Sequence, residues 1–210
     1  SASCYGISKK YPIDEKSKID TKYPYALTKF LGEQLVIHWH KVYDKPNISL
    51  RFFNTYGPRS RTTGAYGAVF GIFLAQRIAK KPLTIVGDGK QTRDFIHVFD
   101  LVEAIIQAAK IGKNGEIYNV ASGKEISVNY IAKLIGGNKV AIPKRPAEPD
   151  RSLADITKIK SELKWRPKIS IDKGVEMLLK NIQDWKKAPV WTPKSIKDAT
   201  KIWFNLLKKK

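Results

Sequence analysis

Tyr23-Pro24-Tyr25-Ala26-Leu27-Thr28-Lys29, running on to Tyr43, and the Ile48-Ser49-Leu50-Arg51-Phe52-Phe53 run behind it decide the fold. Leu27, Leu31, Leu35 and Trp39 step by four, with Phe30 and Val42 filling the stripe. That spacing predicts an amphipathic helix from Tyr23 to about Tyr43. Pro24 suits a first helical turn, and Lys45-Pro46-Asn47 stops the helix. The apolar run at 48–53 then reads as a strand. A long helix joined by a short turn to a strand is an α/β unit, and in such folds ligands gather beyond the carboxyl ends of strands. Asn54-Thr55-Tyr56-Gly57-Pro58 occupies such an end.

Tyr25 and Lys29 are four residues apart, so a helix stacks them on one face. An ammonium beside a phenol favours the phenolate, which draws Tyr25 toward acid–base work, with a bound cationic cofactor adding to the effect. The spacing alone is a weak signal. Tyr5 and Lys9 repeat it, and a tyrosine on a half-buried helix face beside a solvated lysine is the plain alternative for either pair.

Composition narrows the classes. A chain of 210 residues with 42% hydrophobic content can bury a core as one large domain or two small ones. The single cysteine, Cys4, excludes an internal disulfide and a cysteine metal cluster and fits a reducing compartment, so the expected location is the cytoplasm. Ser1-Ala2-Ser3-Cys4-Tyr5-Gly6 has neither the charged nor the apolar part of a signal peptide. It reads as a strand tail entering a turn, with more chain expected upstream. The net charge of +20 comes mostly from scattered lysines. Base reading and phosphate clamping favour arginine forks, so a solvated surface is expected, with neither nucleic acid nor membrane as partner.

Residues 7–22 read as a surface loop, and 59–65 as a polar loop. Helices are expected at about 67–80, from Asp100 as N-cap to about 110, and at 127–135, 155–163, 172–185 and 194–207. Strands are expected at 83–86, 116–120 and 140–142. Gly87-Asp88-Gly89 is a turn, and 143–150 an irregular segment. The last helix carries Ile196, Ile202, Trp203 and Leu206 opposite many lysines, and is read as packed on the body rather than on a membrane surface.

These residues together resemble the extended short-chain dehydrogenase/reductase family, in its nucleotide-sugar epimerase and dehydratase branch. The resemblance rests on Ser1-Ala2-Ser3-Cys4-Tyr5-Gly6, Tyr25-x-x-x-Lys29, Leu50 through Arg59, and Gly87-Asp88-Gly89 through Arg93-Asp94-Phe95-Ile96-His97-Val98. A weaker fifth piece is Arg145-Pro146-Ala147-Glu148 with Ser152 to Asp155. It implies an α/β fold: the C-terminal part of a Rossmann domain (a doubly wound parallel sheet) plus a smaller, mostly helical substrate domain. Residues 1–60 and 95–121 would belong to the NAD-binding domain, and 61–94 and 122–210 to the nucleotide-sugar domain. The Gly-rich turn that cradles a dinucleotide pyrophosphate is absent from this sequence, so these residues alone are not expected to turn over substrate.

The same resemblance implies roles. Tyr25 would exchange the proton of the sugar 4-hydroxyl, Lys29 would hold the nicotinamide ribose, and Ser1 would hydrogen-bond the hydroxyl, with Ser3 beside it. Phe53 would contact the nicotinamide end and Asn54 the diphosphate oxygens. Val69, Phe70, Thr84, Ile85 and Val86 would line the base and ribose pocket. Arg93 and Arg145 would pair with the diphosphate, and Glu148 with the nucleotide ribose. Plainer readings stand beside these: turn residues for Ser1, Ser3 and Asn54, an ion pair of Arg93 with Asp94 or Asp100, a pair between Arg145 and Glu148, and a structural His97. The implied cofactor is NAD rather than NADP, the partner a nucleoside-diphosphate sugar, and the assembly a homodimer.

Dehydratases of this branch carry an acidic pair after the catalytic Ser/Thr. Here Ala2 and Ser3 stand there, which favours epimerisation at C4 of a UDP-hexose through a 4-keto sugar. The alternatives are a dTDP-glucose 4,6-dehydratase-like or reductase activity and, in another class, a non-catalytic basic binding protein.

Overall fold

The computed structural model describes residues 1–60, 62, 69–145 and 148–207. Most of the 59–65 loop, the expected helix start at Gly67, and Pro146 and Ala147 lie outside the described residues, as do the side chains of Trp203 and Leu206. After a 3-10 turn at Ala2–Tyr5 the elements are α1 Pro24–Tyr43, β1 Ser49–Phe52, β2 Asn54–Tyr56, α2 Val69–Ile78, β3 Leu83–Val86, β4 Thr92–His97 and α3 Val98–Ile111. Then follow β5 Ile117–Val120, β6 Glu125–Ser127, α4 Val128–Ile135, β7 Lys139–Ile142, α5 Thr157–Glu162, α6 Ile171–Lys180, a 3-10 turn at Ile182–Trp185, and α7 Pro193–Leu207. The fold is α/β with parallel strand pairs. Two compact units divide the chain: Ser1–Thr55, Arg93–Glu125 and Arg151–Ser170 in the first, and Tyr56–Thr92, Ile126–Asp150 and Ile171–Lys210 in the second. Residues 151–170, grouped by sequence with the substrate domain, thus fall in the first unit.

In the first unit β1 and β5 run parallel, with Ser49 opposite Ile117 and Phe52 opposite Val120. Parallel neighbours need a long crossover, and α3 delivers the chain into β5. Leu101, Ala104 and Ala108 turn one face of α3 into a core shared with Tyr5, Ile96, Tyr118 and Trp165. The segment expected as a surface loop is tied down at Ile13, whose amide donates to the Leu153 carbonyl and whose carbonyl accepts from Asp155, at 2.8 Å each. Gly6 has φ of +61°, and a Cβ there would strike the Asp20 carbonyl. Only glycine lets the chain at Asp20 close on the first turn, where the Asp20 amide donates to the Cys4 carbonyl at 2.9 Å.

Two expectations need correcting here. The Leu27, Leu31, Leu35 and Trp39 stripe of α1 is exposed rather than buried; Ala26 and Glu33 are the buried residues of the helix, with Phe30 half-buried against the core. Periodicity located the helix, but its seated face runs through 26, 30 and 33. The cap of α3 is His97, not Asp100: the His97 Nδ1 accepts from the Phe99 amide at 3.3 Å. Asp100 is buried in the first turn, where its carboxylate accepts from the Ile169 amide at 2.9 Å.

Burial holds the His97 imidazole below its ordinary value, with the Asp100 charge opposing. The free ring titrates near ~6.5, so the neutral form is what the fold keeps. Its contribution is present above that value and is lost as pH falls from there through the folded-state value. The urea midpoint should therefore drop more steeply between about pH 7 and pH 5 in the parent than in His97→Asn. Equal slopes would show that His97 stays neutral or charged alike in both states.

In the second unit β3 and β7 are parallel, with Leu83 opposite Lys139 and Val86 opposite Ile142. Helix α2 is buried all round from Phe70 to Gln76, as expected for a helix without a polar face. Ser127 caps α4, accepting from the Tyr130 amide at 3.1 Å. Gly174 on α6 leaves room for the Tyr56 phenol, into which a Cβ would project. Helix α7 opens on a reciprocal cap: the Thr192 amide donates to the Ser195 hydroxyl at 2.9 Å, and the Ser195 amide to the Thr192 hydroxyl at 3.2 Å. Ile196 and Ile202 do not share its buried face. Thr200 is buried with its hydroxyl donating to the Ile196 carbonyl at 2.7 Å, whereas Ile202 is exposed. Among the described residues no helix is long and apolar enough to cross a membrane.

Candidate active site

The first unit holds the residues with chemistry. Ser1 caps the opening 3-10 turn, and its hydroxyl and that of Ser3 share a hydrogen bond of 3.0 Å. Both residues are half-buried. Tyr25 lies in the first turn of α1 and is 55% exposed. The Lys29 ammonium sits 5.5 Å from the centroid of its ring, as the four-residue spacing requires. The Thr28 hydroxyl donates to the Tyr25 carbonyl at 2.9 Å, firming that turn. Helix α1, which carries Tyr25 and Lys29, packs on the 3-10 turn that carries the serines.

Tyr5 and Lys9 do not form a rival pair. Tyr5 is 2% exposed, its phenol donates to the Asn119 side chain at 2.7 Å, and it accepts from Arg51 at 2.7 Å. Burial pushes that phenol well up, so it stays protonated. Burial likewise raises the Cys4 thiol, which is no nucleophile.

Phe53 is buried in the core, with its ring centroid 6.3 Å from that of Tyr5. Asn54 is exposed at the start of β2, and Arg93 is half-buried on β4. The residue after Arg93 is wholly buried. The Asp94 carboxylate accepts from the Ser122 amide and hydroxyl, at 2.7 and 2.6 Å, from the Gly123 amide at 3.0 Å and from the Ala154 amide at 3.2 Å. Burial nonetheless pushes the Asp94 carboxyl up.

The pocket residues expected from the resemblance fall in the second unit. Phe70 is buried and stacks on Tyr56 with centroids 4.4 Å apart. Thr84 and Ile85 are buried on β3, while Val69 and Val86 are half-buried. The Thr84 hydroxyl accepts from the Gln76 side chain at 2.9 Å, and the Thr84 amide donates back to Gln76 at 3.1 Å. The polar groups of Thr84 are thus engaged inside the unit. Arg145 and Glu148 are half-buried on either side of the two residues outside the description. Among the described residues no cluster of His, Cys, Asp and Glu fits a metal ion.

Two polar assemblies escaped the sequence reading: Gln76 with Thr84, and the buried set of Glu33, Arg51, Tyr5 and Asn119. The second had a signal. Arg51 is a charge inside an apolar strand run, and Glu33 stands one helical turn beyond Lys29.

A parallel α/β unit with a serine turn beside a Tyr-x-x-x-Lys helix defines a short-chain dehydrogenase/reductase of the extended type. Residues 1–178 match the family model described as GDP-mannose 4,6 dehydratase, and the chain belongs to that family. A UDP-glucose 4-epimerase of Mycolicibacterium smegmatis is 31% identical over 82% of this chain and 57% of its own length. A UDP-glucuronate 4-epimerase of Thermodesulfobacterium geofontis is 35% identical over 89% of this chain and 57% of its own. Among solved structures, the UDP-glucuronic acid 4-epimerase of Bacillus cereus, in complex with UDP-glucuronic acid and NAD, superposes with a TM-score of 0.78. It is 33% identical over 86% of this chain and 59% of that one. The chain thus spans under three-fifths of the length of these relatives.

Proposed function

We propose that this chain carries the acid–base residues of an NAD-dependent nucleoside-diphosphate-sugar 4-epimerase acting on a UDP-hexose. The observation that supports the reading is the Lys29 ammonium over the Tyr25 ring, on a helix packed against the turn that holds the Ser1–Ser3 hydroxyl pair. The exposed phenol and ammonium fit the ribose end of a dinucleotide. The sequence offers no Gly-rich turn for the pyrophosphate, and Phe53 is too buried to offer more than an edge. A nicotinamide held there would supply the hydride acceptor and donor for sugar C4.

The roles then follow from chemistry. Tyr25 is assigned to take the proton of the C4 hydroxyl as the carbonyl forms, and to give it back after the sugar has turned over. Ser1 donates to the oxygen and fixes its direction, with Ser3 holding the Ser1 hydroxyl in place. Lys29 keeps positive charge beside the phenolate and donates to the ribose. Arg93 and Arg145 are assigned to the diphosphate, Asn54 to its oxygens and Glu148 to the nucleotide ribose. Val69, Phe70 and the Thr84–Val86 strand support the base. Homodimer formation and a cytoplasmic setting belong to the same reading.

The matched family model is described as a dehydratase, so water loss across C5 and C6 is the second reading. It needs an acid and a base after Ser1. Ala2 has no titratable group, and the Ser3 hydroxyl is engaged with Ser1, which supports epimerisation. Incubating the full-length protein with NAD and UDP-glucose should yield UDP-galactose with no net NADH. A 4-keto-6-deoxy product would establish the dehydratase instead, and neither product would set aside both for this sugar.

A further inference from the structure

We infer that Arg51, through Glu33, is the positioning residue that sets the Tyr25/Lys29 helix against the serine turn, an inference that rests on the reading of the site above. The Arg51 guanidinium donates in a fork to the Glu33 carboxylate, Nε to one oxygen at 2.8 Å and Nη2 to the other at 2.7 Å. Its Nη1 donates to the Tyr5 phenol at 2.7 Å and to the Glu15 carbonyl at 3.0 Å. The Tyr5 phenol passes the chain on to Asn119 of β5 at 2.7 Å, and the Asn119 side chain donates to the Ile13 carbonyl at 3.0 Å. Both charged side chains are almost wholly enclosed, with 3% and 4% exposure. Burial pulls the Arg51 proton affinity down, but the Glu33 bonds and the Tyr5 oxygen more than restore it, so the guanidinium stays charged.

The three elements tied together are the three that carry the chemistry. Glu33 is four residues beyond Lys29 and eight beyond Tyr25 on α1. Tyr5 is four residues beyond Ser1 and closes the same 3-10 turn. Arg51 precedes Phe53 and Asn54 at the end of β1. Apart from Ala26, the Phe30 edge on the core and the Ser49 hydroxyl that donates to Glu33 at 3.2 Å, α1 turns its leucines and Trp39 outward, so the fork is its strongest polar tie. A planar fork resists both sliding and rolling of the helix, which a greasy contact would allow. Enclosed ion pairs are seldom better for stability than apolar residues of the same volume, so geometry is the better account of why charge stands here. Acid–base transfer is sensitive to misplacement of about 1 Å, which can cost ~10²-fold in rate.

The test uses the full-length protein and three forms: parent, Arg51→Lys, which keeps the charge without the fork, and the apolar double variant Glu33→Leu/Arg51→Met. Turnover is expressed per folded molecule, and amide exchange of Leu27 to Leu31 on α1 is followed alongside that of β1 and β5. The expected result is a fall in kcat of about 10- to 100-fold in both variants with KM unchanged, and faster exchange on α1 alone. A double variant with parent kcat per folded molecule overturns the inference, because the clamp would then be mere filling. Unchanged exchange on α1 overturns it without any reference to activity. A parent without epimerase turnover fails the functional reading instead, and the exchange measurement then decides the clamp by itself.

Discussion

Tyr25→Phe in the full-length protein is expected to lose about 10²- to 10⁴-fold in kcat while binding the nucleotide sugar as the parent does. The substitution removes one oxygen from a side chain that is 55% exposed and keeps the ring, so the helix and the Lys29 ring contact survive it. What disappears is the group that accepts the C4 proton, and neither serine can replace it, since a hydroxyl is a far weaker base than a phenolate. Calorimetric titration with UDP-glucose measures the binding, and product formation the rate. A Tyr25→Phe protein that turns over at the parent rate would remove the phenol from the mechanism, and one that loses binding and rate together would make Tyr25 a contact for the substrate rather than its base.

Asp94→Ala carries the largest expected cost in stability, about 3–5 kcal/mol. Four donors converge on this carboxylate, three of them main-chain amides in the turn at Ser122 and Gly123 and at Ala154. Alanine leaves those amides enclosed with no acceptor. Asp94→Asn keeps one oxygen but turns an NH2 toward donors, so it should fall between the two. Denaturant unfolding of the three forms measures the series; a loss below about 1 kcal/mol for alanine would mean that water reaches the amides. The effect is structural and distinct from that of its neighbour Arg93, which is assigned to the substrate.

Much of the architecture could be read from residues alone, for identifiable reasons. β3 is bounded by Pro82 and Gly87, and the expected span of 83–86 is the observed one. Helix α1 has a proline at its start and a Lys-Pro-Asn stop, and its expected span agrees to within a residue. The seated side of α1 was not legible, because besides Ala26 its buried side chain is the carboxylate of Glu33, and a charge is read as pointing outward until its partner is known. The Asp100 cap misled because an aspartate before an apolar helix is an ordinary start signal, while the chain had already entered the helix two residues earlier behind His97. Tyr25, Lys29, Ser1 and Ser3 were legible as a set through their spacing and resemblance; the structure stacks Lys29 on the Tyr25 ring, joins the two serine hydroxyls, and packs α1 on the turn that carries them. Phe70, Thr84 and Ile85 were assigned to a pocket wall, and their burial and the Gln76 bonds are tertiary facts that no local pattern carries.

The enclosed fork of Arg51 and Glu33 also divides what salt can touch. Dissolved ions mute charges over about 8 Å at physiological strength, but only where they can approach. Lysines supply most of the +20, and on the proposed function they would draw an anionic sugar nucleotide inward, a pull that ions weaken. No ion enters between Arg51 and Glu33. On that reading ionic strength would govern how often substrate arrives, and would leave the enclosed Arg51–Glu33 pair untouched.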